Sequence, residues 1–162
     1  MTRLSSLAVA ICFAMQSASV SAQGEDLDRA ELWGSEVALR AYSGMCGFVM
    51  AQSVLILDIP APCRFLRVVP GGDVREVTLA TGEGPGPRVA AVAGPRVHPD
   101  DLKAAVEGLD NRYCSHMAQG LINRGGQVAN GAVLLEPLGF CSDLALDQMA
   151  YYGFVPTPVI SD

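Results

Sequence analysis

The chain has 162 residues and a formal net charge of -6, with 17 acidic residues against 11 lysines and arginines. Because binding to a phosphate backbone requires clustered positive charge, this balance excludes nucleic acid as the expected partner. The length suits one domain. Lysine occurs only at Lys103, and this strong preference for arginine is typical of GC-rich bacterial genes.

Residues 1–22 have the pattern of a cleaved export signal. Arg3 precedes an apolar run from Leu7 to Met15, and Val20-Ser21-Ala22 forms a small-x-small cleavage site. We therefore predict a signal peptide over 1–22 and a single exported domain over 23–162. Its expected location is the bacterial periplasm or the medium.

Two forms of membrane attachment are disfavoured. Cys12 follows the bulky Ile11, whereas a lipid-bearing cysteine requires a small residue before it. The apolar run from Phe48 to Ile59 is interrupted by polar residues and is shorter than the roughly 20 residues of a membrane helix. We therefore expect no membrane span in the mature chain.

Four cysteines follow the signal, at Cys46, Cys63, Cys114 and Cys141. An oxidising compartment favours disulfides over metal-bound or catalytic thiols. Four cysteines allow three pairings. We favour the sequential one, Cys46 with Cys63 and Cys114 with Cys141, because each pair brackets one predicted structural unit. The chain-entropy model gives each bridge a stabilisation of roughly 3 kcal/mol.

The first elements are predicted as a helix followed by a strand. Between Asp26 and Tyr42, apolar residues recur at steps of three and four, which is typical of one helical face. The continuously apolar stretch Met45 to Ile59 either extends this helix or forms a buried strand. Its second half, Ser53 to Ile59, favours the strand because it is rich in valine, isoleucine and leucine.

The middle of the chain, about residues 64–93, is predicted as a short antiparallel meander. Its strands are Arg64 to Val69, Val74 to Ala80 and Arg88 to Ala93. The glycine- and proline-rich loop Gly82 to Pro87 separates the last two.

The last third is predicted as helical. His98-Pro99-Asp100-Asp101 indicates a helix start, and an apolar face at steps of three or four follows as far as Asn123. Gln127 to Leu135 is ambiguous between helix and strand. A second helix is expected over Asp143 to Tyr152, ending at Gly153. The predicted fold class is therefore α+β, a single small domain with an N-terminal helix, the meander, C-terminal helices and two disulfides.

No catalytic residues are predicted. The chain has two histidines, His98 and His116, and no Gly-x-Ser-x-Gly elbow. Asp100 and Asp101 are explained by their position at a helix start. An acid/base pair of His116 with a carboxylate distant in sequence stays open, because such proximity is tertiary. We therefore expect no cofactor and lean against an enzyme.

A soft-metal site is the principal alternative. His116 and Met117 lie beside Cys114, while Met45 and Met50 flank a second soft cluster, as periplasmic copper binding requires. The same methionines also serve as gap-filling core residues. A metal site from His116, Met117, Met45 and Met50 is therefore kept as an alternative hypothesis.

Two segments could contact a protein partner. One is the loop around Gly84 and Pro85, which is predicted to be exposed and stiff. The other contains Tyr151, Tyr152 and Phe154, since aromatic residues anchor interfaces and also close cores. The sequence thus favours an exported, non-catalytic binding or accessory protein of a bacterial envelope or secreted complex. Its oligomeric state is left open.

Overall fold

The computed structural model describes residues 24–69, 71–81, 84–98, 101, 113–141, 146 and 148–156. Within these residues it consists of nine strands and one short helix. The strands are β1 (Asp26–Leu32), β2 (Ser35–Tyr42), β3 (Met45–Met50), β4 (Ser53–Pro60), β5 (Arg64–Phe65), β6 (Glu76–Thr81), β7 (Gly84–Ala93), β8 (Cys114–Arg124) and β9 (Gln127–Cys141), and the helix is α1 (Gln148–Gly153).

The predicted α+β class is wrong, because the chain folds as two antiparallel sheets. The region expected to be an N-terminal helix forms the hairpin of β1 and β2. Its turn residues Trp33 and Gly34 have φ angles of 56° and 78°. Positive φ at both positions is the geometry of a two-residue hairpin turn whose twist matches that of the strands.

The four-stranded sheet has the order β1-β2-β3-β4, so each strand pairs with the next one along the chain. A second pair of left-handed residues, Ser43 and Gly44, connects β2 to β3. The strand predicted over Ser53 to Ile59 is confirmed as β4, and the apolar stretch before it forms β3.

The five-stranded sheet has the order β5-β7-β8-β9, with β6 also paired to β7. Arg64 of β5 pairs with Ala93, and Glu76 of β6 pairs with Ala90, so both strands lie along one edge of β7. The middle of the chain is antiparallel as predicted. It is not a simple meander, because β5 and β6 share a neighbour.

The helix predicted to end at Asn123 is replaced, over its described part, by strand β8. Residues 102–112 of that prediction lie outside the described residues. Gln127 to Leu135, left ambiguous by the sequence, belongs to β9. Gly125 and Gly126, with φ angles of 60° and 92°, form the hairpin turn between the two strands.

The two sheets enclose one apolar core. Leu39, Phe48 and Leu57 of the four-stranded sheet pack in the same cluster as Val92 and Leu121 of the five-stranded sheet. All five are at most 2% exposed. The inner faces of the two sheets therefore face each other, as in a sandwich.

A second apolar cluster covers the other face of the five-stranded sheet. Tyr151 of α1 and Phe154 after it pack there against Val89, Ala91 and Phe140. Helix α1 overlaps the predicted Asp143 to Tyr152 helix and includes Gly153, the predicted stop. Residues 143–145 and 147 of that prediction lie outside the described residues. Within the described part of the chain, no helix is long and apolar enough to cross a membrane.

Polar side chains link the two sheets on one side of the sandwich. The buried side chain of Gln119 on β8 accepts a hydrogen bond from the Asp58 N–H and donates one to the Asp58 carboxylate. It also donates to the Gly131 carbonyl. Asn130 on β9 donates to the Ile56 carbonyl of β4. These contacts fix β4 against β8 and β9.

The opposite side is linked by Asp28 of β1. Its carboxylate accepts a hydrogen bond from the Phe65 N–H at 3.0 Å and pairs with Arg67 at 2.7 Å. Arg67 also donates to the carbonyls of Arg29 and Gly72. The two sheets are thus tied along both sides by side chains that bond to backbone groups.

All four cysteines after the predicted signal are paired. Cys46 of β3 is bonded to Cys63, which precedes β5, so this bridge connects the two sheets. Cys114 is bonded to Cys141, directly opposite it on β9. The disulfide prediction is confirmed, and the pairing is the sequential one.

Candidate functional site

A concave surface lies at the end of the β8–β9 hairpin, beside the Gly125-Gly126 turn. The Gly125-Gly126 turn is held by a hydrogen bond from the Gly126 N–H to Asn123 Oδ1 at 2.9 Å. Since both glycines are left-handed, side chains with a Cβ would be strained there. The turn therefore fixes which residues oppose each other on the two strands.

Two cross-strand pairs form the floor of this surface. Ile122 lies opposite Ala129, and Arg124 lies opposite Gln127. Side chains two residues apart on a strand share a face, so these four residues lie on the same face of the hairpin. They line a cleft of about 460 Å³ together with Asn130, Val155 and Pro156. We call this cleft, defined by those seven residues, the hairpin cleft.

Its wall comes from the segment after α1. The Phe154 carbonyl accepts a hydrogen bond from the Ala132 N–H of β9 at 2.7 Å. The Phe154 and Val155 N–H groups donate to the Tyr151 and Tyr152 carbonyls. Because these bonds fix the segment to the sheet and to α1, Val155 is held against the hairpin.

Arg124 is electrostatically distinct. Among the described residues no carboxylate pairs with its guanidinium, whereas Arg29, Arg40, Arg67 and Arg88 form ion pairs. Two other arginines lie over tyrosine rings, Arg64 over Tyr113 and Arg75 over Tyr151. The hairpin cleft therefore combines an apolar floor with an arginine that no carboxylate among the described residues pairs with, in an acidic protein.

Two further depressions adjoin the cleft. Arg124 also lines one with Pro85 and Pro87, and Gln127 and Ala129 line another with Phe48 and Met50. The same hairpin end thus contributes to three concave surfaces.

Some of the residues predicted to contact a partner are exposed in the structure, and others are buried. Gly84 and Pro85 are exposed at the start of β7, and Pro85 shares a depression with Arg124. Tyr151 and Phe154 are fully buried in the second apolar cluster. Tyr152 is 39% exposed.

Tyr152 and Tyr151 use their hydroxyl groups differently. The Ala80 N–H donates a hydrogen bond to the Tyr152 hydroxyl at 3.2 Å. The Tyr151 hydroxyl is buried without a hydrogen-bond partner among the described residues. Burial raises the pKa of Tyr151 to about 12, although Arg75 nearby opposes the shift. The Tyr151 ring is therefore a core group.

The proposed soft-metal ligands are spread over the fold. Met45 and Met50 lie at opposite ends of β3, a separation of roughly 17 Å at the rise of an extended strand. Met117 packs against the core between the sheets. His116 lies on β8 with its Nδ1 3.3 Å from the Glu136 carbonyl oxygen. The structure does not bring Met45 and Met50 to one point, and no group of three histidine, cysteine or acidic side chains gathers in the described residues.

Sequence reasoning missed Arg124 and Gln127. Both flank Gly125-Gly126, just beyond Asn123, where the predicted helix ends. Two consecutive glycines between apolar runs also signal a two-residue hairpin turn. That alternative would have placed Arg124 opposite Gln127.

Comparison with known proteins gives no match to a family model, to a curated protein or to a solved structure.

Proposed function

We propose that this chain is an exported, disulfide-stabilised binding or accessory protein of a bacterial envelope or secreted complex, and that it acts by recognition and not by its own catalysis. The observation that carries the proposal is the hairpin cleft, in which Arg124, with no ion pair to a described carboxylate, lies beside an apolar floor. Concave apolar surfaces with a few polar groups are the common form of ligand sites.

The disulfides support the location. Cys46, Cys63, Cys114 and Cys141 are all paired and nearly inaccessible to solvent. Paired cysteines of this kind persist in oxidising compartments and are rare in the cytosol of most organisms. They agree with the export signal predicted over residues 1–22.

The proposal is tested by expressing the full chain in a Gram-negative bacterium, with an epitope inserted after Gln23. Mass spectrometry of the purified protein is expected to give Gln23 as the first residue, both disulfides oxidised, and partner proteins that co-purify after cross-linking. Substituting Ala129→Phe, which fills the cleft, should reduce that partner capture.

Three results would contradict the proposal. One is that the protein stays in the cytosol with residues 1–22 uncleaved. Another is partner capture by the Ala129→Phe protein equal to that of the wild type. The third is turnover of an ester, peptide or glycoside substrate by the purified mature chain.

A further inference from the structure

We infer that the hairpin cleft binds the carboxyl-terminal residue of a partner polypeptide whose last side chain is apolar. This inference rests on the proposed function, because it names the ligand of the same surface. It follows from the charge, the dimensions and the rigidity of the cleft.

The charge selects an anion. Arg124 carries five N–H donors in a planar fork, which matches the two oxygens of a carboxylate. Gln127 lies directly opposite on β9 and adds an amide donor. Both side chains are exposed, and among the described residues neither has a side-chain hydrogen bond or ion pair. A carboxylate therefore gains donors there without breaking an existing contact.

The apolar part of the cleft begins one step further along the hairpin. Ile122 is 4% exposed and lies two residues before Arg124 on the same strand face, a distance of roughly 7 Å. Val155 and Pro156 form the facing wall. A carboxylate held at Arg124 therefore places the side chain of the same residue over Ile122.

The dimensions favour a peptide end over a lipid. The apolar floor spans one pair of residues, whereas a long acyl chain extends over roughly 15 Å, half the thickness of a bilayer core. One aliphatic side chain covers Ile122 and Ala129, while most of an acyl chain would extend beyond this pair. The cleft is therefore suited to a single terminal residue.

The wall is fixed before binding. The Phe154 carbonyl accepts a hydrogen bond from the Ala132 N–H of β9, and the Val155 N–H donates one to the Tyr152 carbonyl of α1. A site that is already ordered loses little conformational entropy when a ligand binds. This rigidity allows a contact of only one or two residues to be specific.

Three fluorescein-labelled probes test the inference by fluorescence anisotropy with the oxidised mature chain. The first is Gly-Ser-Gly-Leu with a free carboxylate, the second is the same peptide amidated, and the third is Gly-Ser-Gly-Ser with a free carboxylate. We expect the first to bind about tenfold or more tightly than either of the others, as the loss of a charged hydrogen bond or of a buried leucine requires.

Two arginine variants distinguish the effect of Arg124 itself on probe binding from the effect of the overall charge. Arg124→Gln should abolish the preference for the free carboxylate over the amide. Arg29→Gln removes the same charge from an exposed arginine on β1 and should leave that preference unchanged. Ala129→Phe keeps Arg124 and fills the cleft. It should therefore weaken binding of the first probe at least as much as Arg124→Gln does.

The inference is overturned if the wild type binds the acid and the amide equally, or if Arg124→Gln keeps the preference. Displacement of the first probe by hexadecanoate at a lower concentration than by unlabelled peptide would assign the cleft to a lipid instead. A correctly exported protein that captures partners but binds none of the probes would refute this inference alone. Retention of residues 1–22 would refute the proposed function, whatever the probes show.

Discussion

The two sheets differ in how many of their faces are covered. In the four-stranded sheet, Leu57 and Ile59 of β4 are completely buried, while Val54 and Ile56 on the outer face are 45% and 46% exposed. In the five-stranded sheet, every residue of β7 from Val89 to Ala93 is inaccessible to solvent. One sheet has a solvent face, and the central strands of the other have none.

This difference determines which residues each sheet tolerates. Alanines occupy β7 at Ala90, Ala91 and Ala93, and glycines occupy β8 and β9 at Gly120 and Gly131. Small residues allow the segment after α1 to approach the backbone of the sheet closely. The five-stranded sheet is therefore sensitive to added volume, whereas the outer face of the four-stranded sheet has room for it.

The largest predicted effect of a single substitution is that of Gly131→Ala. A Cβ at this position would lie 2.5 Å from the Phe154 carbonyl oxygen and 3.1 Å from Gly120 Cα, both backbone atoms. Since neither can move without breaking the packing, we expect a loss of about 3 kcal/mol in the free energy of unfolding, measured by urea denaturation.

Gly47→Ala is the matched control in the four-stranded sheet. Its Cβ would meet the ring of the half-buried Tyr42, a side chain and not backbone. We expect a smaller loss, about 1 kcal/mol. Equal losses for the two variants would contradict the comparison between the sheets.

The two disulfides should each raise the free energy of unfolding by an amount similar to the loss expected for Gly131→Ala. The Cys46–Cys63 bridge closes a loop of 17 residues, and the chain-entropy model gives a stabilisation of about 3 kcal/mol. Replacing both cysteines by alanine should lower the free energy of unfolding by this amount.

The same replacement of Cys114 and Cys141, whose bridge lies within one sheet and spans 27 residues, is predicted to cost slightly more in that model, about 3.5 kcal/mol. A much smaller loss for this second bridge would show that the β8–β9 hairpin persists in the unfolded ensemble. Urea unfolding of the two double variants at equal protein concentration decides between these results.

A third prediction concerns alkaline pH and the covered face of the five-stranded sheet. Burial raises the pKa of Tyr151 from 10.0 to about 12. Between these pH values the unfolded chain loses the phenolic proton and the folded chain keeps it. Stability is therefore unaffected below about pH 10 and falls by about 2 kcal/mol as the pH approaches 12.

Tyr151→Phe isolates this contribution, because Tyr113, whose pKa burial also raises to about 12, remains in place. The variant should be at least as stable as the wild type at pH 7, since the Tyr151 hydroxyl has no hydrogen-bond partner among the described residues. Urea unfolding at about pH 9 and about pH 11.5 measures both effects. An undiminished alkaline loss in the variant would contradict this role for Tyr151.

The smallest predicted effect is that of Ile56→Thr on the outer face of β4. Because Ile56 is 46% exposed, we expect a change within about 0.5 kcal/mol in thermal or urea unfolding. Ile59→Thr in the same strand serves as the control. Because Ile59 is fully buried, this variant should lose about 2 kcal/mol or more in the free energy of unfolding. Similar losses at both positions would show that the outer face is covered.

The comparison also explains which parts of the fold the sequence predicts. Residues 53–59 and the strands within 64–93 are identifiable because their flanking prolines and glycines mark the ends. In β8, Met117 and Leu121 are four residues apart, a spacing that places two residues on one face of a helix and equally on one face of a strand. With both faces of β8 apolar, no alternation remains to distinguish the two structures.

The region of the β1–β2 hairpin has the sequence pattern of a helix for another reason. Leu27, Ala30, Trp33 and Val37 do all pack against the core, as their spacing suggests, but they come from two strands and the turn between them. The helix-like period arises because the chain reverses at Gly34. Of the candidate site, the sequence predicts only the exposure of Pro85, since the meeting of Arg124 with Val155 depends on tertiary packing.

The hydrogen bonds of Gln119 and Asn130 have a consequence for the behaviour of the protein at high concentration. As an outermost strand, β4 presents backbone groups that another chain could pair with, and exposed strands of this kind promote fibre formation. Gln119 already occupies the Asp58 N–H, and Asn130 occupies the Ile56 carbonyl. The two amide side chains thus protect β4 from intermolecular strand addition while it keeps its apolar outer face.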